Sequence, residues 1–291
     1  MKVKKCIIPI AGKGIRRLPV TKTVSKEMLP ILNDPTIMLI VKECLKSGIE
    51  EVIFVTNKDN YKLIKEFFTK NDELEDFIKN NSNKELLNDL NEIIDKIKFN
   101  YIIQDENIRG TSGALYAAKD YINDEYFGVI FGDDLIDSSK PMLKDLIDES
   151  EKYNCNVIGV REIDEKYKNY YYVVKYKEDN IMEKFAKTKE EKIDASKDMM
   201  LGRLVLNSNI FDKLLETKVH DNNEYFLPDA LEILDEEIRC VKCSGKYYNI
   251  GNIEGFIKAN IAYGLKNDKI RLEIENFVNE IIHKEEDDKN E

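Results

Sequence analysis

Residues 8–30 read IPIAGKGIRRLPVTKTVSKEMLP, and the way this stretch begins and ends decides the fold. It grows out of an apolar run at residues 3–8 that has the make-up of a buried strand. Pro9, Ile10, Ala11 and Gly12 follow, small enough at their end for backbone to come close to a ligand. Gly12 and Gly14 supply a tight turn with free N–H groups, which suit a phosphate or a base edge. Four cations come next: Arg16, Arg17, Lys22 and Lys26. A strand entering a glycine loop dense in cations is the arrangement of a nucleotide-phosphate site. The spacing G-x-G-x-R is not that of a P-loop. It is not the dinucleotide fingerprint either, because Arg17 stands where the third glycine belongs. Taken alone, it also fits a strand-to-helix turn with solvated basic residues.

Composition narrows the class. The chain has 291 residues, 42% of them hydrophobic and 35% charged, with a net charge of −11. That length suits one large α/β domain or two small ones. The acidic balance argues against a nucleic-acid partner, which needs a broad basic face, but not against a nucleotide in a local basic pocket. No apolar run approaches the length of a membrane span. The N-terminus goes straight from Lys2 to Lys5 into a strand with no leader pattern, so a cytoplasmic protein is expected. Five widely spaced cysteines suit free thiols in a reducing compartment. Cys240 and Cys243 form C-x-x-C on a predicted strand, where residues three apart face opposite ways, so a metal clip is not expected. The two histidines, His220 and His283, lack the partners of a hydrolase triad.

Along the chain, strands and helices alternate in the manner of a doubly wound parallel sheet. Asp34 is placed to cap, and Pro35 to start, a helix carrying Ile37, Ile40, Val41 and Leu45 and ending near Gly48. Residues 51–56 read as a buried strand and 59–68 as a helix. Residues 71–98 read as an insertion of two amphipathic helices, with Leu86 among the apolar positions of the second. A strand at 99–103 ends at Gln104. A second glycine turn, Arg109-Gly110-Thr111-Ser112-Gly113, opens a helix through about residue 121. A further buried strand, 126–131, runs into Gly132-Asp133-Asp134. In an open α/β sheet the ligand lies at the carboxyl ends of the strands, so these three loops can converge. Asp133, at the end of an apolar strand, is either a single Mg²⁺ ligand or a turn aspartate; Asp134 is the weaker candidate. Residues 168–206 read as short β segments forming a small antiparallel subdomain. A last helix at 269–283 carries an apolar stripe, Ile270, Leu272, Ile274, Phe277 and Ile281, which is more often core than interface. A charged tail ends the chain. The division expected is a domain at 1–268 followed by a helix and tail at 269–291.

The stretch at residues 8–30, closed by Lys26-Glu27-Met28-Leu29-Pro30, resembles the signature of sugar-1-phosphate nucleotidyltransferases. Its spacing is most similar to that of bacterial UTP–glucose-1-phosphate uridylyltransferases, and the resemblance runs from about residue 3 to 265 with five motifs in the family's order. It implies a Rossmann-like, mostly parallel α/β sheet flanked by helices, with a small antiparallel sugar-side part. The implied reaction is UTP plus glucose 1-phosphate giving UDP-glucose and pyrophosphate, by direct attack on the α-phosphorus with Mg²⁺ as cofactor. UTP and a sugar 1-phosphate are the implied partners, and a dimer or tetramer the implied assembly. Carried over position by position, Ala11 and Gly12 would bind the uracil through their backbone, Gln104 would read its edge and Gly110 would pack on it. Gly14 and Arg16 would hold the β- and γ-phosphates, and Lys26 would neutralise the α-phosphate. Asp133 and, more weakly, Asn249 would bind the metal. Glu183 would meet sugar hydroxyls and Lys184 the sugar phosphate. Gly202-Arg203 and Tyr248-Asn249-Ile250-Gly251 match shorter motifs.

The chain departs from the family pattern at several of these places. Asn249 stands where the family carries an aspartate, and Tyr172 where it carries a glycine against the sugar. Ile15 replaces a threonine, Ser25 a proline before Lys26, and Phe185 the proline after Glu183-Lys184. Two other readings therefore stand beside the main one. One is a nucleotidyltransferase for another sugar phosphate or nucleotide. The other is a catalytically weak or inactive homologue that binds nucleotide or a partner protein.

Overall fold

The computed structural model describes residues 2–80, 85, 87–123, 126–186 and 189–287. Its elements, in chain order, begin with β1 (Lys5–Ile10), the two-residue strands β2 (Pro30–Ile31) and β3 (Asp34–Pro35), α1 (Thr36–Lys46), β4 (Glu51–Thr56) and α2 (Lys58–Phe67). Next come α3 (Asp72–Asn80), α4 (Asn88–Lys96), β5 (Lys98–Ile103), α5 (Gly110–Ala117), β6 (Tyr126–Ile130), β7 (Asp134–Asp137), α6 (Met142–Tyr153) and β8 (Asn156–Glu162). The remainder is β9 (Val173–Glu178), β10 (Ile181–Ala186), α7 (Lys189–Ile193), β11 (Asp198–Asn207), α8 (Ile210–Lys213) and α9 (Leu227–Glu232). It closes with β12 (Ile238–Lys242), β13 (Lys246–Asn249), α10 (Ile253–Lys266) and α11 (Arg271–Asp287).

One nine-stranded sheet organises these elements, in the order β5-β4-β1-β6-β11-β8-β12-β10-β9. The first four strands are parallel to one another. The chain builds outward from β1 through β4 to β5, then crosses back to place β6 on the other side of β1. That reversal leaves a crevice at the carboxyl ends of the strands. Successive residues alternate faces, as a strand buried on both sides requires. Ile8, Ile10, Val52 and Phe54 join the core under α1 and α6, with Ile37, Ile40, Val41, Leu143 and Leu146. Ile7, Ile53 and Val55 face the other way, onto Ala114 and Leu115 of α5, Ala118 just after it, and Leu227, Ala230 and Leu231 of α9. A third cluster, Ile31, Leu135, Tyr248, Ile250 and Ala259, seats α10 on the small β7–β13 sheet.

Several expectations shift. Asp34 does not cap α1. It pairs with Ile31 in a short antiparallel bridge, Pro35 occupies the cap position, and the Thr36 hydroxyl donates to the Leu29 carbonyl at 2.8 Å. The helix opened by Gly110 stops at Ala117 and continues only as a 3₁₀ turn at Lys119–Tyr121. The two insertion helices are present as α3 and α4, and Leu86 lies outside the described residues. The β segments expected as a small antiparallel part are antiparallel, and they join the main sheet. β11 lies antiparallel between β6 and β8, and β10 joins antiparallel to β12 with β9 at the edge. The α11 stripe is largely exposed, with Leu272 at 67% and Phe277 at 63%, because the helix packs on α10 rather than on the sheet. All five cysteines are free. No described helix is long and apolar enough to cross a membrane.

Candidate active site

Four parallel strands each end in a residue that turns toward one cleft. Ala11 follows β1, Asn57 follows β4, Gln104 follows β5, and Phe131 with Asp133 follows β6. The cleft has a volume of about 780 Å³ and is also lined by Gly12, Gly14, Arg16, Lys26, Gly110 and Gly251. Every nucleotide-side residue expected from the sequence is therefore at this place. Asn57 was missed. Its amide holds the Ala11 carbonyl at 3.0 Å while its Oδ1 caps α2. An Asn directly after a buried strand and immediately before a helix is a capping signal that could have found it.

The glycines are where sterics demand them. Gly14 adopts φ 63°, and its carbonyl accepts from Arg17 N and Thr21 Oγ1, both at 2.8 Å, so the loop doubles back on itself. Gly110 adopts φ 88°, and a Cβ there would collide with the Tyr225 carbonyl. This close approach brings Glu224 and Phe226 to the cleft wall, which sequence reasoning did not foresee. Gln104 is fixed as well: its Nε2 donates to the carbonyls of Ile108 at 2.9 Å and Gly110 at 3.1 Å.

Of the four loop cations picked out from the sequence, two face the cleft, and a fifth, Lys13, lines it as well. Arg16 and Lys26 line it. Arg17 is buried on the other side, its guanidinium 4.4 Å from the centre of the Phe256 ring, and Lys22 does not line the cleft. Lys26 Nζ lies 2.6 Å from Asp133 Oδ2 and 3.7 Å from Glu27 Oε1. Burial works against both charges of the pair, but each outweighs that cost for the other. The Lys26 ammonium is held above the ordinary lysine range, and the Asp133 carboxyl below the ordinary carboxylate range. Burial pushes the Glu27 carboxyl up to about 7.

Asp133 and Asn249 meet because β7 and β13 pair antiparallel with Asn249 opposite Asp134, and Ile250 N donates to the Asp133 carbonyl at 2.8 Å. A Cβ on Gly251 would lie 2.7 Å from Asp133 Oδ2 and 2.9 Å from Asn249 Oδ1, so the two oxygens share one small space. Asp134 is unavailable: its carboxylate accepts from Gly202 N at 2.8 Å and from the Tyr247 hydroxyl at 2.7 Å. Behind it, the fully buried Arg203 donates to Glu43 at 2.9 Å and to the Asp134 carbonyl at 2.7 Å. Arg203 thus pins the loop that carries Asp133.

The structure does not place the sugar-side pair at this cleft. Glu183 and Lys184 sit on β10 and are not among its lining residues. Glu183 lies 3.6 Å from Lys175 on the neighbouring strand, and Lys184 is paired with Glu191. Phe185 is buried in the second core with Tyr172 edge-on against it, ring centres 5.9 Å apart.

The family described as Nucleotidyl transferase matches residues 5–265 of this chain. Among curated proteins, UTP–glucose-1-phosphate uridylyltransferase 2 of Staphylococcus saprophyticus is 35% identical over 286 residues, covering 96% of this chain and 98% of that protein. Among solved structures, a UDP-glucose pyrophosphorylase complexed with UDP-glucose superimposes with a TM-score of 0.79 at 32% identity, covering 91% of this chain and 100% of that one. A UTP-bound enzyme of the same kind from Acinetobacter baumannii gives a TM-score of 0.86 at 25% identity, covering 95% of this chain and 99% of that one.

Proposed function

This chain belongs to the nucleotidyl transferase family, and we propose that it transfers a uridylyl group from UTP to glucose 1-phosphate, releasing pyrophosphate and forming UDP-glucose. The observation that carries the reading is the convergence of Arg16, Lys26 and Asp133 between two glycine turns at the ends of four parallel strands. Such a site neutralises and aligns phosphates, which this chemistry needs more than it needs a protein nucleophile.

A phosphate oxygen of glucose 1-phosphate attacks the α-phosphorus of UTP, a new P–O bond forms, and the bond to the β-phosphate oxygen breaks. Pyrophosphate leaves with the electron pair. Ala11 and Gly12 would hold the base through their backbone, with Gln104 at its edge and Gly110 beneath it. Gly14 and Arg16 would hold the leaving phosphates, and Lys26 the charge that develops at the α-phosphate. Glu183 and Lys184 remain the proposed sugar-phosphate contacts.

A divalent cation, taken here as Mg²⁺, suits Asp133 and Asn249. Among the described residues no group of three or more His, Cys, Asp or Glu side chains could hold a metal ion, so a site built on the family's pattern rests on these two. They fit, because Asn249 Oδ1 is buried without a hydrogen-bond partner among the described residues and lies beside the Asp133 carboxylate. Oxygen ligands few in number, with phosphates completing the set, are what Mg²⁺ prefers. When bound it would supply Lewis-acid neutralisation of the phosphates.

The test is turnover. Purified protein with UTP, glucose 1-phosphate and Mg²⁺ is expected to release pyrophosphate, and Lys26→Ala to abolish it. Release no faster than background from the unaltered protein would sink the reading, and undiminished release by Lys26→Ala would sink the role given to Lys26.

A further inference from the structure

Two buried oxygens beside the Lys26–Asp133 pair have no hydrogen-bond partner among the described residues. One is Asn249 Oδ1, accounted for above; the other is Glu27 Oε1. Glu27 is 1% exposed, and its Cγ lies 3.0 Å from where a Cβ on Gly132 would stand, so it is packed directly behind the Asp133 loop. Its other oxygen accepts from the Ser25 hydroxyl. One half of this carboxylate is therefore anchored while the other faces Lys26 Nζ at 3.7 Å, beyond hydrogen-bond reach. A buried carboxylate oxygen left without a partner is costly, and its persistence calls for a state in which it has one.

The same ammonium sits 2.6 Å from Asp133 Oδ2, the oxygen that shares its space with Asn249 Oδ1. A lysine cation and a divalent cation cannot hold one carboxylate oxygen together without strong repulsion in a buried site. For the cation site to fill, Lys26 has to move, and Glu27 Oε1, 3.7 Å from its ammonium and without a hydrogen bond among the described residues, is a carboxylate oxygen it can reach.

We infer that Glu27 is a positioning residue that receives the Lys26 ammonium when a divalent cation takes Asp133 and Asn249. The inference rests on the metal reading of those two residues. The displacement is small: closing 3.7 Å to a charge-assisted hydrogen bond takes a shift of about 1 Å, within reach of side-chain rotation. Lys26 holds the place of the cation in its absence, and afterwards stays in the cleft as the charge facing the α-phosphate. Ser25 serves this exchange by fixing one Glu27 oxygen so that the other points at Lys26.

Mn²⁺ binding to the full chain without nucleotide, followed by the electron paramagnetic resonance of free Mn²⁺, reads the exchange apart from turnover. Glu27→Gln, which keeps shape and removes charge, is expected to weaken Mn²⁺ binding by about tenfold, the scale on which outer-layer partners affect metal sites. Lys26→Met is expected to tighten it by a similar factor, since the ammonium then no longer competes for Asp133. The decisive variant is the double one: in the Lys26→Met background, Glu27→Gln is expected to have no further effect. An equal loss in both backgrounds would mean that Glu27 acts on the metal directly, and no loss in either that it is only packing; both overturn the inference. Mn²⁺ bound but indifferent to Glu27 overturns the inference alone, whereas no Mn²⁺ bound by any form overturns the metal reading with it. If Glu27→Gln does not fold, Ser25→Ala carries the same test. It is expected to produce a smaller loss with Lys26 present and none with Lys26→Met.

Discussion

Gln104 shows how much a single side chain's orientation adds to its identity. Its amide nitrogen donates to the Ile108 and Gly110 carbonyls, so both N–H groups are engaged and the assignment of nitrogen and oxygen is settled by two acceptors. What the amide has left for a ligand is Oε1, an acceptor. Uracil offers a donor at N3, whereas cytosine offers an acceptor there. The expected outcome is that CTP is used with a kcat/KM at least ~100-fold below that of UTP, the scale of discrimination when an acceptor is forced against an acceptor. Comparable values for the two nucleotides would remove Gln104 as the reader of the base. The residue itself was legible from the sequence as the polar end of a strand, and its role as what the family resemblance implies. Its direction was not, because it depends on carbonyls that the Gly110 turn presents only after folding.

At the scale of elements, the site depends on α1 and β11, neither of which lines the cleft. Glu43 sits in α1 beside the buried Val41 and Cys44, and its side chain is 10% exposed in contact with the fully buried Arg203 of β11. Arg203 reaches on to the Asp134 carbonyl, so the ion pair ties helix, central strand and the loop carrying Asp133 into one unit. Its guanidinium is held above the ordinary range: burial alone would lower it, and Glu43 more than reverses that. Removing one partner of such a pair leaves an uncompensated buried charge. Glu43→Gln is expected to destabilise the fold by roughly 3 kcal/mol in urea unfolding, the low end for breaking a buried pair. A loss below about 1 kcal/mol would place the pair among those that contribute little. The sequence offered only a faint sign of this link, an acid one residue before the apolar pair Cys44 and Leu45. Its partner lies 160 positions away, and no local pattern reports a contact over that distance.

Across the whole molecule, the nucleotide side and the sugar side differ in how far they could be foreseen, and for a physical reason. The nucleotide side is made of parallel strands, each followed at once by the loop that serves the cleft. Reading each strand's end was therefore enough to gather Ala11, Gly12, Gln104 and Asp133. The sugar side is antiparallel, and a strand's partner there is set by packing at long range rather than by its own residues. Hence β9 to β11 were recognisable as strands, while the insertion of β11 between β6 and β8 was not. The same difference bears on substrate use. The residues proposed to bind the nucleotide already line one cleft, but Lys184 is held by Glu191 on α7, with side-chain exposures of 40% and 33%. To serve a sugar phosphate, Lys184 has to leave that partner, so the pair competes with the substrate. Exposed pairs of this kind are weak, so Glu191→Gln is expected to lower the KM for glucose 1-phosphate by about twofold. The KM for UTP, which answers to residues elsewhere in the sheet, should stay unchanged. A rise in the KM for glucose 1-phosphate would show that Glu191 aids binding, and equal shifts for both substrates would place Lys184 outside the sugar site.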